Sequence, residues 1–172
     1  MTAVNSNLNF CIAHNLIASY NMVMASQQPT DDPALLLDNQ LCFAMYSTSL
    51  AMTKLYKPLL EELNLTYPQY LVMLVLWERD GLMVSELGDR LYLDSGTLTP
   101  LLKRMETAGL LARIRAVDDE RRVHISLTAA GRGLKSKATK IPGCVFTALQ
   151  CSIPELLSLT QQMQLLRGRL MA

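Results

Sequence analysis

Aromatic residues are scarce in this sequence, histidine is scarcer still, and no lysine or arginine precedes Lys54. Only three Phe, six Tyr and one Trp occur in 172 residues, while Leu and Met abound, which argues for helices over a β-sandwich or barrel. Long hydrophobic runs are missing too. The longest, Tyr70 to Trp77, is far too short to cross a bilayer. Without early cations the chain has no basic n-region of a secretory signal. The four cysteines (Cys11, Cys42, Cys144, Cys151) form no C-x-x-C pair and have no histidine at metal-ligand spacing, so neither a zinc site nor a cofactor is expected. Reduced thiols in a cytoplasmic protein are the expectation.

Strong charge of one sign is also lacking, the net being +1. Its distribution is uneven. Residues 85–140 hold eleven Lys/Arg against seven Asp/Glu, and the rest of the chain holds five against eight. That is a hint of a basic face, although a randomly uneven surface would look the same.

Residues 1–33 show no sustained period and end in a polar Gln/Pro/Asp patch, as a disordered or spurious N-terminal extension would. Met22 and Met24 are candidate natural starts, with residues 1–23 then extra. Residues 34–172 read as one mainly α domain with a small β-wing. A first helix is expected from about Leu35 to Leu60. Thr66 to Gln69 forms a capping box opening a second helix that ends at Gly81. Ser85 opens a short third helix. Asp94 or Ser95 caps a fourth, which Gly109 terminates. Residues 110–127 alternate as a hairpin turning at Asp118, Asp119 and Glu120. Thr128 caps a fifth helix running to about Gln150, and Ser152 to Glu155 opens the last, ending near Leu170. The DNA-binding part is assigned to about 66–128, the dimerisation helices to about 35–60 and 129–170.

Two short helices followed by a two-stranded hairpin make a winged helix-turn-helix. In that geometry the second helix enters the major groove with its N-terminal residues against base edges. Ser95, Thr97 and Thr99 offer small hydroxyls there, and Lys103 and Arg104 follow one turn on. The hairpin tip places Arg121 and Arg122 for a minor groove. The competing reading is a winged helix used for protein docking, its hydroxyls serving only as caps.

The stretch DSGTLTPLLKRMETAGLLARIRAVDDERRVHISLTAAG resembles the winged-helix segment of the MarR family of bacterial transcription regulators. LDNQLCFAMYSTSLAMTKLYKPLLEELNLTYPQYLVMLVLWE is similar to the OhrR-like organic hydroperoxide sensors of that family. The resemblance runs from about Leu35 to the end. It implies a homodimeric repressor with interlocked terminal helices and two wings straddling a pseudo-palindromic operator on double-stranded DNA. It also implies that Cys42 is the peroxide-reactive thiol, hydrogen-bonded by Tyr56 and Tyr67. By itself Cys42 reads sooner as a small inert hydrophobe, the commoner fate of a lone cysteine. The chemistry is nonetheless coherent: only a thiolate attacks an O–O bond, and phenol donors stabilise a thiolate without adding charge. Phe43, Met45 and Tyr46 would add apolar surface for an alkyl or lipid hydroperoxide. Tyr46, Tyr70 and Trp77 read first as core aromatics.

Two-cysteine members of the group resolve the oxidised thiol with a cysteine of the other subunit near the end of the fifth helix. Here that position is Thr147. Cys144 lies one turn before it and Cys151 one turn after, on one stripe of a continuous helix. The expected resolving thiol is Cys151, then Cys144, with a small-thiol mixed disulfide as the remaining route. Two rival functions stay open. One is a regulator controlled by reversible binding of a phenolic effector, the other a thiol peroxidase, although nothing here resembles a docking site for its reductant.

Overall fold

The computed structural model describes residues 32–115 and 122–172. The expected N-terminal extension therefore lies almost wholly outside the described residues, as do Asp118, Asp119 and Arg121. The chain forms two units, up to Met52 and from Thr53 onward.

In the first unit, Asp32 accepts the Ala34 N–H at 3.0 Å and opens a single 3₁₀ turn, Pro33–Leu35. A second such turn follows at Leu37–Asn39. The first helix, α1 (Leu41–Glu61), thus starts six residues later than the sequence suggested. Local bonds explain the delay. Asn39 Nδ2 donates to the Pro33 carbonyl at 2.8 Å, and the Gln40 amide donates to the carbonyls of Ala34 and Leu36. These polar side chains satisfy the backbone in a non-helical path.

The second unit carries the last turns of α1 and the rest of the fold. Helix α2 (Tyr67–Glu78) opens where Gln69 Oε1 accepts the Thr66 N–H at 2.8 Å. Tyr70, Val72, Met73, Val75 and Leu76 are all buried, so α2 is apolar on most sides, as a central helix must be. It stops at Glu78 rather than Gly81. The reason is Asp80, whose Oδ1 takes the N–H of Gly81 at 2.9 Å and that of Leu127 at 2.8 Å.

A two-residue strand, β1 (Leu82–Met83), precedes α3 (Val84–Leu91) and α4 (Ser95–Thr107). Strands β2 (Leu111–Arg115) and β3 (Val123–Leu127) complete an antiparallel sheet of order β1-β3-β2. Its register pairs Leu111 with Leu127, Arg113 with Ile125, and Leu82 with Ile125 on the other side. Strand β1 was not expected, because two residues carry no alternation. The core lies where Leu87, Leu98, Leu102, Met105, Leu111 and Ile125 meet α2, each side chain fully buried. Each such burial contributes roughly 1.5–3 kcal/mol.

The expected fifth helix is two helices, α5 (Ala129–Ala138) and α6 (Ile141–Leu149). Pro142 accounts for the break. It has no N–H for the Ala138 carbonyl, and its ring collides with that carbonyl in a continuous helix. Gln150, left-handed at φ 51°, ends α6. Cys144 and Cys151 consequently do not share one helix stripe. The last helix is α7 (Ile153–Met171), capped by Ser152, whose hydroxyl and N–H both bond Glu155.

Candidate nucleic-acid interface and thiol site

Helices α3 and α4 meet at a tight turn. Tyr92 takes the left-handed conformation at φ 56°, and the Leu93 N–H reaches back to the Gly88 carbonyl at 3.0 Å. The α4 cap is Asp94, not Ser95. Its Oδ1 accepts the Thr97 N–H and its Oδ2 the Thr97 hydroxyl, each at 2.9 Å. These bonds, the backbone one foremost, hold the Asp94 carboxyl below the usual carboxylate range. The Thr97 hydroxyl is therefore committed as a donor and faces outward only as an acceptor.

Ser95 and Thr97 are exposed, Thr99 is half-buried, and Lys103 and Arg104 lie exposed one turn beyond Thr99. Leu98, Leu101, Leu102 and Met105 anchor the opposite face of α4 in the core. The helix thereby presents a polar, cationic face outward. Across a groove of about 450 Å³, Ser95 and the exposed Arg122 share a lining with Ser85 and Asp94. The Arg122 guanidinium stands 3.7 Å from Met83 Sδ. Ser85 was read only as a helix start; its place on this groove comes from the β1–α3 geometry.

The tyrosines form a second cluster. The rings of Tyr56 and Tyr67 lie 4.7 Å apart, and Tyr70 stands 5.9 Å from Tyr56. Burial raises all three phenols above the ordinary tyrosine value, with mutual repulsion adding to the effect at Tyr56 and Tyr70. At neutral pH each hydroxyl keeps its proton and remains a donor. Tyr67 also borders a cavity of about 680 Å³ with Leu60, Leu65, Pro68, Lys54 and Lys57. Sequence reasoning placed Tyr70 in the core, where it is, but missed its membership of this cluster.

Cys42 lies in the first unit, exposed in the first turn of α1, with Tyr46 and Met45 also exposed and Phe43 half-buried. Cys144 is exposed on α6. Cys151 sits off the helix, half-buried, its Sγ 3.2 Å from the Leu149 carbonyl. Among the described residues no group of three His, Cys, Asp or Glu could hold a metal ion, and no helix is long and apolar enough to cross a membrane.

A helix-turn-helix backed by a three-stranded wing, with cations on its outer helix, defines a winged-helix DNA-binding protein. Residues 54–138 match the family model described as transcriptional regulator SarA/Rot. The chain is 61% identical over 109 residues to the organic hydroperoxide resistance transcriptional regulator of Bacillus subtilis, covering 63% of this chain and 74% of that protein. It is 50% identical over 147 residues to the HTH-type transcriptional regulator TtmR of Methylorubrum extorquens, covering 86% and 75%. Among solved structures it is similar to reduced AbfR bound to DNA (TM-score 0.67, 32% identity, 79% of this chain and 95% of that one). AbfR, from Staphylococcus epidermidis, is also similar in its disulfide-formed state (TM-score 0.56, 35% identity, 76% and 91%). The chain belongs to the MarR family of DNA-binding transcriptional regulators, in its OhrR-like branch.

Proposed function

We propose that this regulator is a homodimeric repressor, acting in the cytoplasm, that senses organic hydroperoxides through Cys42. The observation that carries the reading is the Tyr56–Tyr67 pair, two phenols with rings 4.7 Å apart that are protonated at neutral pH, with burial shifting them further that way, and so can donate to a thiolate without adding charge. The named activity of the Bacillus subtilis relative supports the same chemistry. The Cys42 thiolate attacks the distal peroxide oxygen and the O–O bond breaks. The alkoxide leaves as an alcohol after taking a proton, and Cys42 becomes a sulfenic acid. A second thiol then displaces water and forms a disulfide. Cys151 of the other subunit is our first choice, Cys144 the second, and a small thiol the remaining route. The disulfide-formed state of AbfR supports this kind of resolution. Consumption of one peroxide per subunit would mark a sensor, and catalytic consumption with a thiol reductant a peroxidase.

On DNA, α4 enters the major groove with Ser95, Thr97 and Thr99 near base edges and phosphates. Lys103, Arg104, Arg121 and Arg122 supply the cations, the last two in the minor groove. Two copies, joined through the terminal helices, straddle a pseudo-palindromic operator. Exposed apolar side chains on α7 (Ile153, Leu157, Leu165, Leu170) and on α1 (Leu41, Tyr46, Leu50) support burial against a second copy. The test is a gel shift on operator DNA before and after cumene hydroperoxide. Reduced protein is expected to bind and oxidised protein to release; a Cys42→Ser variant released as readily as wild type would refute the sensor.

One observation favours a second reading. The cavity beside Tyr67 joins apolar walls (Leu60, Leu65, Pro68) to Lys54, Lys57 and Glu61, a lining suited to a small aromatic effector with polar groups, bound reversibly. Release of Cys42→Ser protein by a phenolic carboxylate would select it.

A further inference from the structure

We infer that Glu106 is a positioning residue for DNA binding, clamping the wing to the DNA-reading helix so that the two engage DNA as one body. Glu106 lies in the last turn of α4, three residues before the joint at Gly109. Gly109 is left-handed at φ 70°, and this single residue sets the direction in which the chain leaves the helix for β2. At its base the joint is held by Thr128, whose hydroxyl donates to the Gly109 carbonyl at 2.6 Å. Farther along the wing, the hold is Glu106. Its Oε1 accepts the Arg113 N–H at 3.1 Å, and its Oε2 faces Arg113 Nη1 at 3.7 Å.

Among the described residues strand β2 is an edge of the sheet, paired with β3 alone. An edge strand leaves alternate N–H groups without a sheet partner, and Glu106 takes the one at Arg113. The Arg113 side chain is only 22% exposed, and its Nε is buried with no partner among the described residues. Without an acceptor at position 106 the Arg113 N–H loses its partner, and β2 loses its tie to α4 two residues beyond Leu111. The wing beyond Leu111 and Ile125, which stay in the core, then shifts against α4, itself anchored by Leu98, Leu102 and Met105.

The sign of the effect makes the inference testable. Removing a carboxylate from a DNA-binding face should, by charge alone, tighten binding. A broken clamp does the opposite. The experiment compares reduced full-length wild type, Glu106→Ala and Glu106→Gln on a duplex selected from a random library by the wild-type protein. It measures affinity across salt concentrations and the hydroxyl-radical footprint. Gln keeps an acceptor for the Arg113 N–H while removing the same charge, so Glu106→Gln should bind as tightly as wild type or more so. Glu106→Ala should lose about tenfold in affinity, with a shallower salt slope as wing phosphate contacts are lost. Its footprint should weaken at the flanking minor grooves and persist in the central major grooves. A variant that merely unfolds more easily would keep the wild-type slope and footprint. The inference is overturned if Glu106→Ala binds at wild-type strength or tighter, or binds less with slope and footprint unchanged. It is equally overturned if Glu106→Gln matches a weakened Glu106→Ala. It rests on wing contact with DNA, which the wild-type footprint reports separately.

Discussion

The indole nitrogen of Trp77 donates to the carbonyl of Gly131 at 3.0 Å, and Lys135 Nζ donates back to the Trp77 carbonyl at 2.9 Å. This reciprocal pair joins the end of α2 to the first turns of α5. Arg132 adds an ion pair to Asp80 at 3.3 Å. Gly131 also lies hard against the chain leading into β2, since a Cβ there would lie 2.0 Å from the Leu110 carbonyl oxygen. Trp77→Phe should cost about 1 kcal/mol by urea unfolding, the worth of one hydrogen bond. Gly131→Ala should cost about 1–3 kcal/mol, because backbone has to shift. An alanine variant as stable as wild type would show that the α5 junction yields freely.

The phenols of Tyr56, Tyr67 and Tyr70 titrate above the ordinary tyrosine value because burial disfavours the phenolate. Folded values above unfolded ones give a definite sign. Their contribution to stability is whole below the unfolded value of about 10 and falls as pH rises through the folded values. Alkaline difference absorbance should show late-titrating phenols, one fewer in each of Tyr56→Phe and Tyr67→Phe. Under the sensor reading both variants should oxidise more slowly while binding DNA normally. Wild-type oxidation rates in both would remove the tyrosines from the thiol chemistry.

Non-reducing gels of peroxide-treated protein separate the routes that follow sulfenic acid formation. Wild type should give a covalent dimer that Cys151→Ser abolishes and Cys144→Ser retains. Cys151 lies beyond the left-handed Gln150, off the helix, so it can move with less helix disrupted than Cys144 would need. Loss of the dimer only in Cys144→Ser would reverse the choice. A monomer gaining the mass of a small thiol would favour the mixed disulfide.

Cation removal tests the DNA-reading face. Alanine at Lys103, Arg104 or Arg122 should weaken binding across sequences and reduce the salt slope by about one each. Arg121→Ala should cost roughly 1–3 kcal/mol if its side chain reads the groove. Unchanged affinity in a folded Arg121→Ala protein would argue against a wing in the minor groove.

Much of the architecture was legible because its signals are local. Gln69 and Glu155 sit three residues after their caps and bond as that spacing demands, and Gly109 ends α4 as a left-handed stop. The alternation of Val123, Ile125 and Leu127 marked β3. What escaped depends on distant partners or on weighing one residue against a pattern. Pro142 outweighed an apolar periodicity that runs through it. Strand β1 exists because β3 offers an edge to Leu82 and Met83. Asp80 shortens α2 by binding Leu127, forty-seven positions away. At the site, the hydroxyl-rich start of α4 was visible, yet which hydroxyls serve the cap required Asp94 in place. The Glu106–Arg113 clamp was invisible, since nothing in a seven-residue separation across a turn says that two charges meet.

Helix α7 runs for nineteen residues without a buried one, and Leu157, Leu165 and Leu170 are each more than half exposed. A helix in a protein takes most of its stability from packing its apolar face, and here that face is open. Whatever covers it supplies its stability, and if the cover is a second copy, that stability depends on how many copies are present. Dilution then acts on this regulator as a denaturant does. Chains at low copy number expose an uncovered helix to proteases, while abundant chains protect one another. The lifetime of the protein would rise with its own concentration.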